Sequence, residues 1–367
     1  MSIISVSSSQ GSYEVVIERG ILGHSDRAVS SATPAGRMLM VVDQAVGASH
    51  GGAVRASLGP DRVAGVVEIT AEEPLKRMST VERIWQACLQ VGLDRSGAII
   101  AVGGGLTGDV AGFAAASFMR GVDVVQIPTT LLSMVDASIG GKTGINVPLP
   151  GSDRLGKNLA GAFWAPKLVL VDPETLETLP RRELRSGLAE CVKHGVIADR
   201  GLLALIGSHA ELLAQGDRAA IDTLLPRSIE VKRAIVQADE HERGSRMLLN
   251  LGHTFAHAIE PITDLDLTHG EAVAIGMCAA AWCAEGCGLC SIEDCESLTR
   301  TLSSLGLPTS MPRAEPIDAL CDAMRYDKKA TGDRLRLVLP TRDAAVVRDD
   351  VPPGAVREAW QRVMPEG

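Results

Sequence analysis

Short β-rich runs alternate with helical patterns through the first half of this chain, and that alternation constrains the fold more than any other feature of the sequence. The runs fall at residues 13–17, 38–42, 65–69, 98–102, 122–127 and 168–171. Strands separated by helical segments predict a parallel sheet covered by helices. From about Glu183 onward β-branched runs nearly vanish and the apolar spacing becomes helical, as in residues 221–238 and 271–287. The expected architecture is an α/β domain over residues 1–180 and an all-α domain over residues 181–367. Pro173 and Pro180 mark the boundary, and a cleft near it is the natural place for ligands. A late run at residues 335–339 reads as a lone strand, either in a hairpin or added to the edge of another element.

Composition narrows the function classes. At 367 residues with 46% hydrophobic content, the chain has material for two cores. A net charge of −9 argues against a nucleic-acid partner, because phosphate backbones are bound by clustered Lys and Arg. The N-terminal residues lack the basic start and apolar segment of a secretory signal, and the longest apolar stretch, residues 272–284, is too short to span a bilayer. A cytoplasmic, stand-alone enzyme with no membrane partner is the expectation. Eight cysteines in a chain of this length do not make a disulfide framework. Cys283, Cys287, Cys290 and Cys295 fall within one short stretch, where thiols can hold zinc or an iron–sulfur cluster, but their spacing fits no ferredoxin pattern and reads better as buried small hydrophobes.

The first chemistry-bearing motif is Gly103-Gly104-Gly105-Leu106-Thr107-Gly108-Asp109, directly after an apolar run. It is not a strict G-x-G-x-x-G, yet its glycines allow backbone amides to approach a pyrophosphate. The bland alternative is an ordinary strand-to-helix turn. Asp43 ends an earlier run, where a carboxylate can take ribose hydroxyls. Gly140-Gly141-Lys142-Thr143-Gly144 invites a P-loop reading that fails, since the spacing requires glycine where Asp136 stands. A lysine among glycines still suits a phosphate or carboxylate, and Lys157 with Asn158 adds a polar pair, against the alternative of a solvated loop.

The segment from Leu188 to Glu271 carries Glu190 and Lys193 on one helical turn, then Asn250, His253 and His257, then His269 and Glu271. A carboxylate and imidazoles at helical spacing are the residue types of a catalytic divalent metal. His253 and His257 share a helical face at i and i+4, so spacing alone makes both of them candidate ligands, with paired core histidines as the alternative. Together with Glu190 and His269 these exceed the three protein ligands of a catalytic zinc, which frees one histidine for acid–base work. Spacing does not say which. Lys193, Lys232, Arg246 and Lys328 read individually as ordinary charged helix faces and gain meaning only in company.

Taken in order, Gly103 to Asp109, Pro128-Thr129-Thr130-Leu131-Leu132, Gly140 to Gly144, Gly187-Leu188-Ala189-Glu190, Asn250-Leu251-Gly252-His253 and His269-Gly270-Glu271-Ala272 resemble the 3-dehydroquinate synthases, from about Asp43 to Pro340. The resemblance implies a Rossmann-like α/β NAD-binding domain, a helical metal- and substrate-binding domain and a homodimer. It implies Glu190, His253 and His269 as ligands of zinc or cobalt, with His257 facing the substrate. Contacts to NAD carry over to Asp43, Glu73, Lys76, Gly104, Gly105, Asp109, Thr129, Thr130, Leu132, Lys157, Thr178, Leu179 and Glu183. Those to substrate carry over to Asn158, Lys193, Lys232, Arg246, Asn250, His257 and Lys328, with Arg120 reaching in from the partner subunit. Asp136 and Lys142 are shared between the two groups.

In that family a seven-carbon keto-acid sugar phosphate is oxidised by NAD, loses phosphate, is reduced again, opens its ring and closes as a carbocycle, with NAD returned unchanged. The metal polarises the reacting oxygen. Cationic and amide groups at Lys142, Arg246, Asn250 and Lys328 suit the phosphate and carboxylate ends. A phosphate oxygen of the substrate can itself serve as the base for elimination, so the protein mainly positions groups and stabilises charge. The chain departs from the family pattern in an extra stretch at residues 150–155, in Ala45 where asparagine is frequent, and in Trp164 where histidine is common. Competing readings are a sibling sugar phosphate cyclase, a metal-dependent polyol dehydrogenase, which would accumulate NADH, and a nucleotide-sensing module without chemistry. Lys232, Arg246, Asn250 and His257 match the synthase pattern and weigh against the first of these.

Overall fold

A computed structural model describes residues 1–34, 36–151, 155–326 and 335–365. The chain divides into two compact units, one of residues 1–179 with 232–241, the other of residues 180–231 with 242–367.

The first unit is built on a seven-stranded sheet in the order β1-β2-β9-β6-β5-β3-β4. Its strands are β1 (Ser2–Ser8), β2 (Gly11–Ile17), β3 (Met38–Asp43), β4 (Val63–Ile69), β5 (Ala98–Gly103), β6 (Asp123–Pro128) and β9 (Leu168–Val171). All neighbours pair in parallel except β1 and β2, which form an antiparallel ribbon at one edge. Every apolar run singled out in this half of the sequence is a strand. β1 was not anticipated: Ser2, Ser5, Ser7 and Ser8 dilute its apolar signal, and it owes its place to pairing with β2.

Side-chain alternation explains why the central strands are apolar throughout. Leu39 and Val41 of β3 and Ile99 and Ala101 of β5 pack with Ile84 of α3 (Met78–Gln90) and Val110 and Ala114 of α4 (Gly105–Ser117). Met38, Met40 and Val42, with Ile100 and Val102, turn the other way onto Val29 of α1 (Asp26–Ala32) and Val54 of α2 (Gly52–Leu58). Successive residues point to opposite faces, and helices cover both, so neither set of positions meets water. A second antiparallel pair, β7 (Lys142–Pro148) and β8 (Leu155–Phe163), carries the Gly140-Gly141-Lys142 motif. Of the extra stretch at 150–155, residues 152–154 lie outside the described residues.

In the second unit the helices are α5 (Arg181–Ala198), α6 (Arg200–Ser208), α7 (Ala210–Gln215), α8 (Arg218–Ala238, whose last turns belong to the first unit), α9 (His253–Ile259), α10 (His269–Gly286), α11 (Ile292–Ser304), α12 (Ile317–Tyr326) and α13 (Pro353–Arg362). The late apolar run forms β10 (Leu337–Pro340), which pairs antiparallel with β11 (Ala345–Arg348). α10 is apolar around nearly its whole circumference because it is the central helix, contacting α5, α9, α11 and α13. No helix among the described residues is long and apolar enough to cross a membrane. Cys283 and Cys295 are fully buried, and Cys295 of α11 donates to Ala281 O of α10 at 3.2 Å, so its thiol serves the packing of those two helices.

Candidate functional site

In the first unit the chain runs from β3 through α2 to β4 on one side, while β5 lies on the other side of β3 and leads through α4 to β6. The strand order therefore reverses between β3 and β5, and ligands of such sheets bind beyond the strand ends at this point. Asp43 ends β3 and Gly103 ends β5, with Val42 and Val102 in register. Gly104 is the N-cap of α4 and offers no side chain there, so the first backbone N–H groups of a thirteen-residue helix face the turn. The glycines are also required for packing. A Cβ at Gly105 would lie 3.0 Å from the Ala137 Cβ, and one at Gly104 would lie 3.2 Å from Thr130 Cγ2. Thr129 N donates to Gly103 O at 2.9 Å, tying the β6 exit to the glycine turn. Asp43 accepts from Ala45 N at 3.0 Å in a local turn.

Next to this turn lies a connected polar network. Lys76 Nζ donates to Asp109 Oδ2 and to Asn158 Oδ1, both at 2.5 Å. Asn146 donates to Glu73 Oε1 at 2.8 Å and accepts from Asn158 N at 2.9 Å. Burial raises the Asp109 carboxyl above the usual range, and Lys76 only partly opposes it. Glu73, Lys76, Asp109 and Asn158 are among the candidates read from the sequence, and Asn146 is not. Its signal was a single amide in the apolar run of Ile145 and Val147, and it is almost fully buried. Asp136 pairs with Lys232, Thr178 Oγ1 is 2.9 Å from His50 Nε2, and Leu132 is half-buried beside Gly105. Lys142 and Lys157 are exposed on β7 and β8, and Leu179 closes the turn before α5. Arg120 is exposed with φ of 69° in the turn after α4, where Gly121 lies against the Trp164 ring. Trp164 Nε1 donates to Val122 O at 2.9 Å, so tryptophan at this position acts in packing.

In the second unit three ligand-bearing residues come from three helices: Glu190 from α5, His253 from the start of α9 and His269 from the start of α10. Glycines allow the approach. A Cβ at Gly270 would lie 2.0 Å from Ser186 O, one turn before Glu190, and Gly270 N donates to Ser186 Oγ at 2.9 Å. A Cβ at Gly276 would lie 2.2 Å from Gly252 O, and Gly252 itself has φ of 80°. These contacts bring the first turn of α10 onto α5 and the start of α9 onto α10. Gly270→Ala is expected to cost about 1–3 kcal/mol through overpacking and to weaken metal binding together with it. Thermal melting and zinc titration of the variant check both.

One oxygen and two ring nitrogens of Glu190, His253 and His269 lie within 4.8 Å of one another. Glu190 Oε1 is 3.8 Å from His253 Nε2 and 3.6 Å from His269 Nε2, while Oε2 is taken by the buried Lys193. The opposite nitrogens are anchored: His253 Nδ1 to Leu251 O at 3.2 Å and His269 Nδ1 to Glu260 Oε1 at 2.7 Å. Imidazoles held this way present Nε2 as a lone pair, which is how metal-binding histidines are oriented. The donor set fits a divalent metal with an open position. Burial, aided by the Lys193 charge, holds the His253 imidazole down to about 3. Burial pulls His269 the same way, but Glu190 and Glu260 outweigh it and lift the group to about 10.

His257 lies outside this set. Its ring centroid is 5.7 Å from that of His253, edge to face, so the i, i+4 spacing does not by itself bring both rings into one group of ligand atoms. Arg246 is fully buried, Asn250 Nδ2 donates to Glu242 Oε1 at 2.8 Å, and Glu183 is exposed in the first turn of α5. Lys328 lies outside the described residues. Glu260, the C-cap of α9 after Ala258 and Ile259, is not among the candidates read from the sequence.

The chain matches the family models 3-dehydroquinate synthase N-terminal over residues 66–186 and 3-dehydroquinate synthase C-terminal over residues 187–330. A 3-dehydroquinate synthase of Synechococcus sp. is 41% identical over 367 residues, covering 98% of each chain. Among solved structures, 2-epi-5-epi-valiolone synthase of Streptomyces hygroscopicus subsp. jinggangensis, with NAD+ and Zn2+ bound, is 31% identical with a TM-score of 0.86 and covers 96% of each chain. A 2-deoxy-scyllo-inosose synthase complexed with carbaglucose-6-phosphate, NAD+ and Co2+ superposes with a TM-score of 0.88 at 24% identity, covering 99% of this chain and 100% of its own, a likeness of fold.

Proposed function

The chain belongs to the 3-dehydroquinate synthase family, and on that premise we propose that it converts 3-deoxy-D-arabino-heptulosonate 7-phosphate to 3-dehydroquinate and phosphate, a step of the shikimate route to aromatic amino acids. The observation that carries the reading is the convergence of Glu190, His253 and His269 from three helices. We further assign residues 1–180 to NAD binding and residues 181–367 to metal and substrate binding, in a cytoplasmic homodimer.

NAD supplies a reversible hydride acceptor and a zinc or cobalt ion a Lewis acid for the reacting oxygen. The remaining work falls to the chain. The amides at the start of α4 take the pyrophosphate, and the carboxylate of Asp43 takes ribose hydroxyls. Glu73, Lys76, Asp109, Thr129, Thr130, Leu132, Lys157, Thr178, Leu179 and Glu183 complete that assignment, with Asp136 and Lys142 at its border. Glu190, His253 and His269 hold the metal. Lys193 and Lys232, fixed against Glu190 and Asp136, present cationic groups toward substrate oxygens. Arg246 gives a planar fork for a carboxylate or phosphate, with Lys142, Asn158, Asn250, Lys328 and the partner's Arg120 as further donors. His257 is placed beside the ligand cluster to move a proton at the substrate hydroxyl, a role its position outside the ligand set leaves open to it.

Phosphate release from the heptulosonate phosphate with catalytic NAD and zinc is the direct test. Release without NADH accumulation, abolished by a chelator and restored by zinc, is expected. Steady NADH accumulation would indicate a dehydrogenase instead. Turnover of sedoheptulose 7-phosphate in its place would move the chain to the sibling cyclases, an arm motivated by the 31% identity to the valiolone synthase.

A further inference from the structure

We propose that Glu260 is a positioning residue for the metal: its carboxylate, hydrogen-bonded to His269 Nδ1 at 2.7 Å, fixes which ring nitrogen of His269 carries the proton and aims the other at the ligand cluster. The inference rests on the reading of Glu190, His253 and His269 as the metal site. Its own support is the geometry around the two histidines. Both direct Nε2 toward Glu190 Oε1, at 3.8 Å and 3.6 Å, and both anchor Nδ1, but the anchors differ in kind. His253 uses the neutral carbonyl of Leu251 at 3.2 Å. His269 uses a buried carboxylate half an ångström closer, with the Glu260 side chain only 7% exposed. A charged acceptor makes the stronger bond and leaves the opposite nitrogen more electron-rich.

The placement of Glu260 follows from the chain. It caps the C-terminus of α9, the helix whose first residue is His253. One short helix thus supplies a ligand at one end and the anchor of a second ligand at the other. The close approach of Gly252 to Gly276 sets the register of α9 on α10 and so fixes both at once. An imidazole in the first turn of α10, 37% exposed, would otherwise rotate about its side-chain bonds.

The test is zinc affinity, measured on the full chain by competition with a chromogenic chelator, together with the visible spectrum of the cobalt-loaded protein. Glu260→Ala is expected to weaken zinc binding about 10–100-fold and to shift the cobalt spectrum, and Glu260→Gln, which keeps the shape but loses the charge, to weaken it about 10-fold. A role confined to folding would lower the melting temperature and leave affinity and spectrum unchanged. Wild-type affinity and spectrum in both variants overturn the proposal, and where Glu260→Ala does not fold, wild-type affinity in Glu260→Gln overturns it alone. Glu190→Gln separates the two levels: if it loses zinc while the Glu260 variants do not, the metal site stands and the role of Glu260 falls. If Glu190→Gln keeps wild-type affinity, the metal reading itself fails and this proposal with it.

Discussion

Glu190→Gln is expected to lower kcat by about three orders of magnitude, equivalent to about 4 kcal/mol of lost transition-state stabilisation. The substitution is nearly isosteric, so helix α5 and its contacts through Ser186 to Gly270 survive. What changes is charge. Glu190 brings the anionic oxygen that faces both His253 Nε2 and His269 Nε2, and a neutral amide is a weaker ligand than a carboxylate for zinc or cobalt. The same carboxylate faces the ammonium of Lys193, which is only 1% exposed, so the variant also loses the counter-charge for a buried cation. A fall in zinc content should accompany the fall in kcat, and excess zinc should recover part of the activity. Full turnover at wild-type metal content would remove Glu190 from the ligand set. Undiminished turnover in metal-depleted enzyme would remove the metal from the reaction.

Much of this site was legible in the sequence because its residues are polar intrusions in apolar surroundings. Glu190 and Lys193 interrupt the buried run of α5, and a glycine turn after the fully buried β5 has few purposes. The sheet was legible for a related reason. Its central strands β3, β5, β6 and β9 are buried on both faces and appear as nearly unbroken apolar runs, whereas β1, β7 and β8 are partly exposed and mix polar residues into the pattern. Spacing failed where two histidines share a helix. His253 and His257 are equivalent by periodicity, and only the positions of α5 and α10, set by the contacts at Gly270 and Gly276, bring the first into the cluster and leave the second beside it. Glu260 and Asn146 escaped for a different reason. Each hydrogen-bonds a residue on another element, and no periodic pattern within its own element reports such a partner.

Lys76→Met should reveal how much the first unit depends on one buried cation. Lys76 is 4% exposed and donates to both Asp109 and Asn158, so methionine fills its volume but removes the shared donor. Removing one partner of a buried pair leaves the other charge uncompensated, and about 3 kcal/mol of stability should be lost. The lower end of the usual range applies because the Asp109 side chain keeps 22% exposure. NAD affinity should fall with it, since Asp109 and Asn158 lose the group that fixes their orientation. The pH dependence follows from the direction of the Asp109 shift. Burial already raises this carboxyl in the folded protein, against the attraction of Lys76, and loss of the cation raises it further. Between the ordinary carboxylate value near about 4 and the raised value, the folded state then holds a proton that the unfolded chain has released. Stability therefore declines as pH rises through that window, more steeply in the variant than in the wild type. The deficit should be largest at neutral pH and shrink as the pH is lowered toward about 4, and Lys76→Met combined with Asp109→Asn should recover most of it. Urea denaturation of the single and double variants at two pH values measures all of these quantities. A deficit independent of pH and untouched by Asp109→Asn would mean that Lys76 contributes packing alone.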